Sequence, residues 1–323
     1  MASGKPSILK AIRECRFGLE MALVHVAFFV ITRLPRPVLM GLARGVGTLA
    51  FHVAWTQRRV ALANLDLAFG DTKSAAEKRA IAKASYASFF RAILDFAWFS
   101  DRSRGRLERW FRFDSSMDLY RAHSPVIVVT AHFGNWELLG QAGSLFGNPP
   151  VSVAATFLNE RVNRFITRLR ERNGMTIASR EGAMRALFRA LKDGGRVALI
   201  MDQNTRVAEG GVFVKFFGKP VTMSPAASVL AVRTGAPIVP VFCQAYPDGT
   251  YHGYACPLLI PGVDGDEVAL NQRIADVFEA EIRKFPAQWL WMYRRWKYVP
   301  PGGNADELPF YAHPAVDPKG RMS

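Results

Sequence analysis

Cysteine is scarce in this 323-residue sequence: Cys15, Cys243 and Cys256 are an odd number, far apart, with no C-x-x-C pair. A disulfide framework is therefore not encoded, and a reducing compartment is the natural setting. H-E-x-x-H and His/Cys clusters are absent, so no metal is expected. The G-x-S-x-G elbow of serine hydrolases is missing too. No cofactor is expected. Gly45-Val46-Gly47-Thr48-Leu49-Ala50 has the letters of a dinucleotide turn, but it lies in a helical pattern without a preceding strand, and Gly218-Lys219 lacks the glycine spacing of a phosphate loop. Negative charge is also in short supply. Lys and Arg number 42 against 27 Asp and Glu, a formal net charge of +15, which calls for a negatively charged partner, either nucleic acid or anionic lipid.

What the sequence has is apolar bulk, 50% of residues, enough for one large α/β core or two small ones. Leu19 to Ile31 reads LEMALVHVAFFVI, broken only by Glu20 and His25 and flanked by Arg13, Arg16, Arg33 and Arg36. The run is shorter than the roughly 20 residues of a comfortable membrane span, so it is expected to cross with tilt or to lie in the interface. A cleaved signal is disfavoured, because Leu34-Pro35-Arg36-Pro37 follows where a small-x-small site should stand. Arginines at both ends favour a membrane anchor near residues 17–34 over a buried helix, and so favour anionic lipid over nucleic acid.

Residues 38–55 and 75–99 carry helical apolar spacing, which predicts a helical N-terminal region over 1–110. From Pro125 onward the pattern changes. Short β-branched runs (PVIVVTA, VSVAA, MTIAS, RVALIM, PIVPVFCQ and Tyr251 to Leu259) alternate with helical segments near 135–146, 159–173, 181–193, 224–234 and 266–285. Such alternation predicts an α/β fold over 111–300, with a mixed, largely parallel sheet and helices on both faces. Ser224-Pro225 reads as a helix start and Gly235 as its stop. Residues 301–323, with scattered prolines, read as a flexible tail.

Of six histidines, only His132 stands where an apolar strand runs into a turn and a helix, in Thr130-Ala131-His132-Phe133-Gly134-Asn135-Trp136-Glu137. Strand ends are where α/β folds build sites. A turn at Gly134-Asn135 would let Glu137 approach the imidazole, fix its tautomer and stabilise the imidazolium, making a general base and its orienter. A structural histidine beside a helix-starting glutamate fits the same spacing. Further along, Arg161, Arg164, Arg168 and Arg172 share one face of a helix and read as a solvated or lipid-facing stripe, while Arg170 falls outside it. Arg170 is placed either on a carbonyl or phosphate oxygen of a ligand, or in a structural ion pair. Asp202-Gln203 ends another strand, as an Asx turn or as a wall of a binding site. Lys215, Phe216 and Phe217 are candidates for the wall of an apolar channel, with simple core packing the alternative for the two phenylalanines. WLWMYRRWKY, with aromatics among Arg294, Arg295 and Lys297, reads as an interfacial aromatic and phosphate-binding belt.

HFGNWE resembles the H-x-x-x-x-D/E block of the glycerolipid acyltransferase superfamily. Together with Asp202-Gln203, Phe216-Phe217-Gly218, Thr234-Gly235-Ala236-Pro237-Ile238-Val239-Pro240 and Trp289 to Lys297, in that order, it resembles the bacterial lipid A biosynthesis (lauroyl/myristoyl) acyltransferase family over roughly residues 10 to 300. The resemblance implies a glycerol-3-phosphate acyltransferase-like fold at the cytoplasmic face of the bacterial inner membrane. It also implies direct transfer of a fatty acyl chain from a thioester, on acyl carrier protein or as acyl-CoA, to a hydroxyl of an anionic membrane glycolipid such as a lipid A precursor. His132 would be the general base and Glu137 its orienter, with no covalent intermediate. The tetrahedral oxyanion needs donors, and the backbone N–H groups of Gly134 and Asn135 or the Arg170 guanidinium are the expected ones. A phosphatidylinositol mannoside acceptor with acyl-CoA as donor keeps the same chemistry. A noncatalytic, basic membrane-binding protein is the alternative of a different class.

Overall fold

The computed structural model describes residues 5–315 except 146, 148, 155–157, 173 and 180. Five helices come first: α1 (Lys5–Ile31), α2 (Arg36–Val53), α3 (Trp55–Phe69), α4 (Ala75–Ser100) and α5 (Ser103–Trp110). Pro35 and Pro37 separate α1 from α2, as proline at a first helical turn does. A capping box at Ser74 and Glu77 starts α4. Gly47, inside the discounted dinucleotide-like letters, sits mid-helix. A Cβ there would meet the backbone of Ala87 at 2.6 Å, so the glycine is what lets α2 and α4 lie close.

No single helix among the described residues is long and apolar enough to cross a membrane; α2 and α3 meet that test only as a pair bent by 92°. Both α1 and α2 leave apolar side chains on the surface, among them Leu19, Leu23, Val26 and Phe29 on the first and Val38, Leu42, Leu49 and Val53 on the second.

The α/β part follows: β1 (Phe111–Phe113), α6 (Asp118–Ala122), β2 (Val126–Thr130), α7 (Trp136–Leu145), β3 (Val151–Val153), α8 (Glu160–Glu171), β4 (Thr176–Ala178), α9 (Ala183–Lys192) and β5 (Arg196–Ile200). After these come the hairpin β6 (Val212–Phe216) and β7 (Lys219–Met223), then α10 (Ala226–Thr234), β8 (Ile238–Ala245), β9 (Tyr251–Ala255) and α11 (Glu267–Lys284). Seven strands form one sheet in the order β1-β9-β8-β2-β5-β3-β4, in which only the β8–β9 pair is antiparallel. The expected mixed, largely parallel sheet is thus present, and all six strand runs read from the sequence lie in it.

Alternation along the central strands supplies both faces. Ile127, Val129, Val197 and Ile238 pack under α9, α10 and α11, whereas Val126, Val128, Val239 and Val241 pack under α7 and the end of α4. Gly235 ends α10 with φ +73°, as read, and the helix begins at Ala226, two residues after Ser224.

The loose tail is corrected as far as Ala315. Tyr298–Val299 (β10) pairs with His313–Pro314 (β11), and buried Tyr311 donates its hydroxyl hydrogen to Asn64 Oδ1. An aromatic anchor in the core outweighs the local proline content.

Candidate active site

At the end of β2 the chain makes a turn that requires glycine. Gly134 has φ +55°, and a Cβ there would fall 1.8 Å from the carbonyl oxygen of Cys243, so only glycine fits. Its N–H donates to the Gln288 carbonyl at 2.8 Å, and the next N–H, of Asn135, donates to the Cys243 carbonyl at 3.1 Å. Asn135 Oδ1 in turn accepts from Leu138 N–H at 3.0 Å, satisfying one orphan donor at the start of α7. Gly134 and Asn135 therefore build the turn. Their N–H groups are taken by carbonyls, which corrects the expectation that they meet an oxyanion.

The β2–β5 register sets Thr130 opposite Ile200, and two residues further on His132 stands beside Asp202. His132 Nδ1 lies 2.7 Å from Asp202 Oδ1, while the His132 backbone N–H and the Trp289 indole N–H both donate to Oδ2, at 3.0 and 2.8 Å. The ionised carboxylate only accepts, so Nδ1 carries the proton and Nε2 is left as the acceptor. Nε2 lies 3.4 Å from Gln203 Nε2.

Burial alone would lower the imidazole pKa. The charge and hydrogen bond of Asp202 and the charge of Glu137 outweigh it, and the pKa stands above its ordinary value. Burial pushes Asp202 up, and the imidazolium with the three hydrogen bonds brings it below the usual carboxylate range.

Asp202, and not Glu137, is the carboxylate hydrogen-bonded to the imidazole. Glu137 makes no hydrogen bond or ion pair to His132. Its carboxylate is held by Arg170 of α8 in a two-point contact, Nη2 to Oε1 at 2.5 Å and Nε to Oε2 at 3.1 Å. The first turn of α7 carries Glu137 toward α8, while the strand neighbour Asp202 takes the place beside the ring. Arg170 is indeed separate from the stripe: Arg161 and Arg164 pair with Glu14 and Glu160 at the surface.

A cavity of ≈ 340 Å³ opens between α7 and the sheet, with His132, Glu137, Arg170 and Gln203 on its wall. Asp202 stands behind the wall, 3% exposed, and Gly134 and Asn135 lie off it. Phe216 and Phe217 do not line it. They belong to an aromatic cluster with Trp289, Trp291 and Trp296 on the other face of the sheet.

The WLWMYRRWKY belt is likewise corrected, since Trp289, Trp291, Trp296 and Arg295 are all fully buried. Arg295 donates to Asn204 Oδ1 and to the Thr222 carbonyl, and burial lowers its pKa to about 10. The residue that sequence reading missed is Trp289 as the clamp on Asp202; its place in the C-terminal aromatic block was the available signal.

The chain matches the family model described as bacterial lipid A biosynthesis acyltransferase over residues 9–298. It is 30% identical over 311 residues to the lipid A biosynthesis palmitoleoyltransferase of Escherichia coli K12, covering 90% of this chain and 98% of that enzyme. It is 26% identical to the lipid A biosynthesis lauroyltransferase of the same organism, covering 92% and 97%. The phosphatidylinositol mannoside acyltransferase of Mycolicibacterium smegmatis is 27% identical over 66% of this chain and 70% of its own length. Among solved structures, the 1-acyl-sn-glycerophosphate acyltransferase of Thermotoga maritima aligns over 79% of this chain and 99% of its own, with 18% identity and a TM-score of 0.39. The chain, matched by the family model over nearly its whole length, belongs to the bacterial lipid A biosynthesis acyltransferase family and is an acyltransferase.

Proposed function

We propose that this acyltransferase moves a fatty acyl chain from an acyl thioester, carried on acyl carrier protein, to a hydroxyl of a lipid A precursor, with His132 as general base. The observation that carries the mechanism is the unprotonated Nε2 of His132 on the cavity wall, with only the Gln203 amide near it and with Nδ1 held by Asp202. The acceptor hydroxyl gives its proton to Nε2 as its oxygen attacks the thioester carbonyl. Asp202 stabilises the imidazolium that forms. The oxyanion is met by the remaining N–H groups of Arg170, which Glu137 holds at the wall, and by Gln203. Collapse expels the thiolate, which takes the proton back from Nε2. No acyl group is attached to the enzyme, consistent with the buried and strongly raised Cys243 thiol.

The acyl chain lies in the cavity under α7, while α1 and α2 rest on the cytoplasmic face of the inner membrane. Their exposed apolar residues and the +15 charge support that placement. The mycobacterial relatives make a phosphatidylinositol mannoside acceptor, with acyl-CoA as donor, the competing reading. Mass spectrometry of the membrane lipids of a deletion strain separates the two. A missing secondary acyl chain on lipid A supports the proposal; unchanged lipid A overturns it.

A further inference from the structure

One face of α7 borders the cavity through Trp136, Leu139, Gly140 and Gly143, the i, i+3, i+4 and i+7 positions. Two of these four are glycine in a helix of ten residues, and each costs about 1 kcal/mol of helix stability relative to alanine. Their surroundings differ. At Gly140 a Cβ would meet the terminal methyl of Met175, Cε at 2.3 Å, a flexible side-chain end that would have to turn aside. At Gly143 a Cβ would meet nothing within 4 Å among the described residues, and φ is not positive. Neither packing nor backbone requires a glycine there; what its bare Cα preserves is space in the cavity.

The position of that space along the cavity matters. Gly143 lies two helical turns, roughly 10 Å, beyond Trp136 and so away from the reacting end. Of the residues lining the cavity, Ile200 is 41% exposed, whereas Met117, Tyr120 and Val128 are all buried. Val128 itself stands four residues, roughly 13 Å, before His132 on β2.

We propose that Gly143 determines the length of acyl chain this enzyme transfers, by leaving open the passage to an apolar floor made by Met117 and Tyr120. The proposal rests on the reading that the cavity holds the acyl chain of the donor. Long chains pass the bare Cα of Gly143 and end on the floor. A side chain at that point would fill the passage and leave room only for shorter chains, whereas a smaller residue in the floor would admit longer ones.

The test is transfer by the full-length enzyme from a series of acyl thioesters that differ by two carbons, each measured as kcat/KM. Gly143→Leu is expected to shift the short-to-long ratio at least about tenfold toward short chains, the discrimination a hydrophobic pocket gives per methylene. Gly143→Ala, which improves helix propensity, should shift it the same way by less and keeps the test available if the leucine variant fails to fold. Met117→Ala should shift the ratio toward longer chains. An unchanged ratio in the folded glycine variants overturns the proposal, and so does an equal loss at every length. If the parent enzyme transfers no acyl group from any thioester, the functional reading itself fails; if the parent is active and only the ratio stays fixed, the length determinant alone fails.

Discussion

His132 Nδ1 and Asp202 Oδ1 stand 2.7 Å apart although 70 residues separate them in the chain. The contact exists because β2 and β5 are parallel neighbours in register, and each residue lies two places past the end of its strand. Asp202 is held from three sides, so the imidazole it orients has little freedom to turn.

The pH profile follows from this pair. The base must be neutral to act, and its pKa is raised, so the acidic limb of kcat/KM should lie above the ordinary histidine value of ~6.5. In Asp202→Asn the charge that raises the pKa is gone while burial, which lowers it, remains. The limb should then move to lower pH, and the plateau rate should fall on the order of 10². A limb that stays in place in the folded variant contradicts the partnership.

Glu137 should behave differently. Its charge is the smallest of the influences on His132, and its hydrogen bonds go to Arg170. Glu137→Gln should move the acidic limb less than Asp202→Asn does. A double-mutant cycle with Arg170→Gln, read by urea unfolding, should give a coupling of about 1–3 kcal/mol between the two. Additive effects, or a limb displaced as far as in Asp202→Asn, would reverse the assignment.

Gly134→Ala tests the turn. The added Cβ would fall 1.8 Å from the Cys243 carbonyl oxygen at a positive φ, so the backbone has to shift. Destabilisation by ~2–4 kcal/mol in urea unfolding is expected. A change below about 0.5 kcal/mol, ordinary for an unconstrained surface site, would show that the turn is not needed.

Local signals in the sequence were enough for much of the fold. Short β-branched runs between helical segments located the six strands, and the strand-to-helix passage at HFGNWE located His132. The short edge strand Phe111–Phe113 and the β6–β7 hairpin carried too little pattern to stand out. The partner of His132 was not legible, because it depends on which strand lies next to β2, and no local pattern specifies that. Glu137 was near in sequence, but the first turn of α7 directs it to Arg170. WLWMYRRWKY was misread for a physical reason: aromatics interleaved with arginine suit a membrane interface and equally suit a core in which Arg295 is hydrogen-bonded to Asn204 and the Thr222 carbonyl.

The most direct test of the central claim is acyl transfer by His132→Ala, measured in purified membranes from a labelled acyl thioester to the glycolipid acceptor. With the base removed and the cavity, Asp202 and the Glu137–Arg170 pair retained, the rate should fall on the order of 10² or more. Transfer at the parental rate by the folded variant would contradict the account.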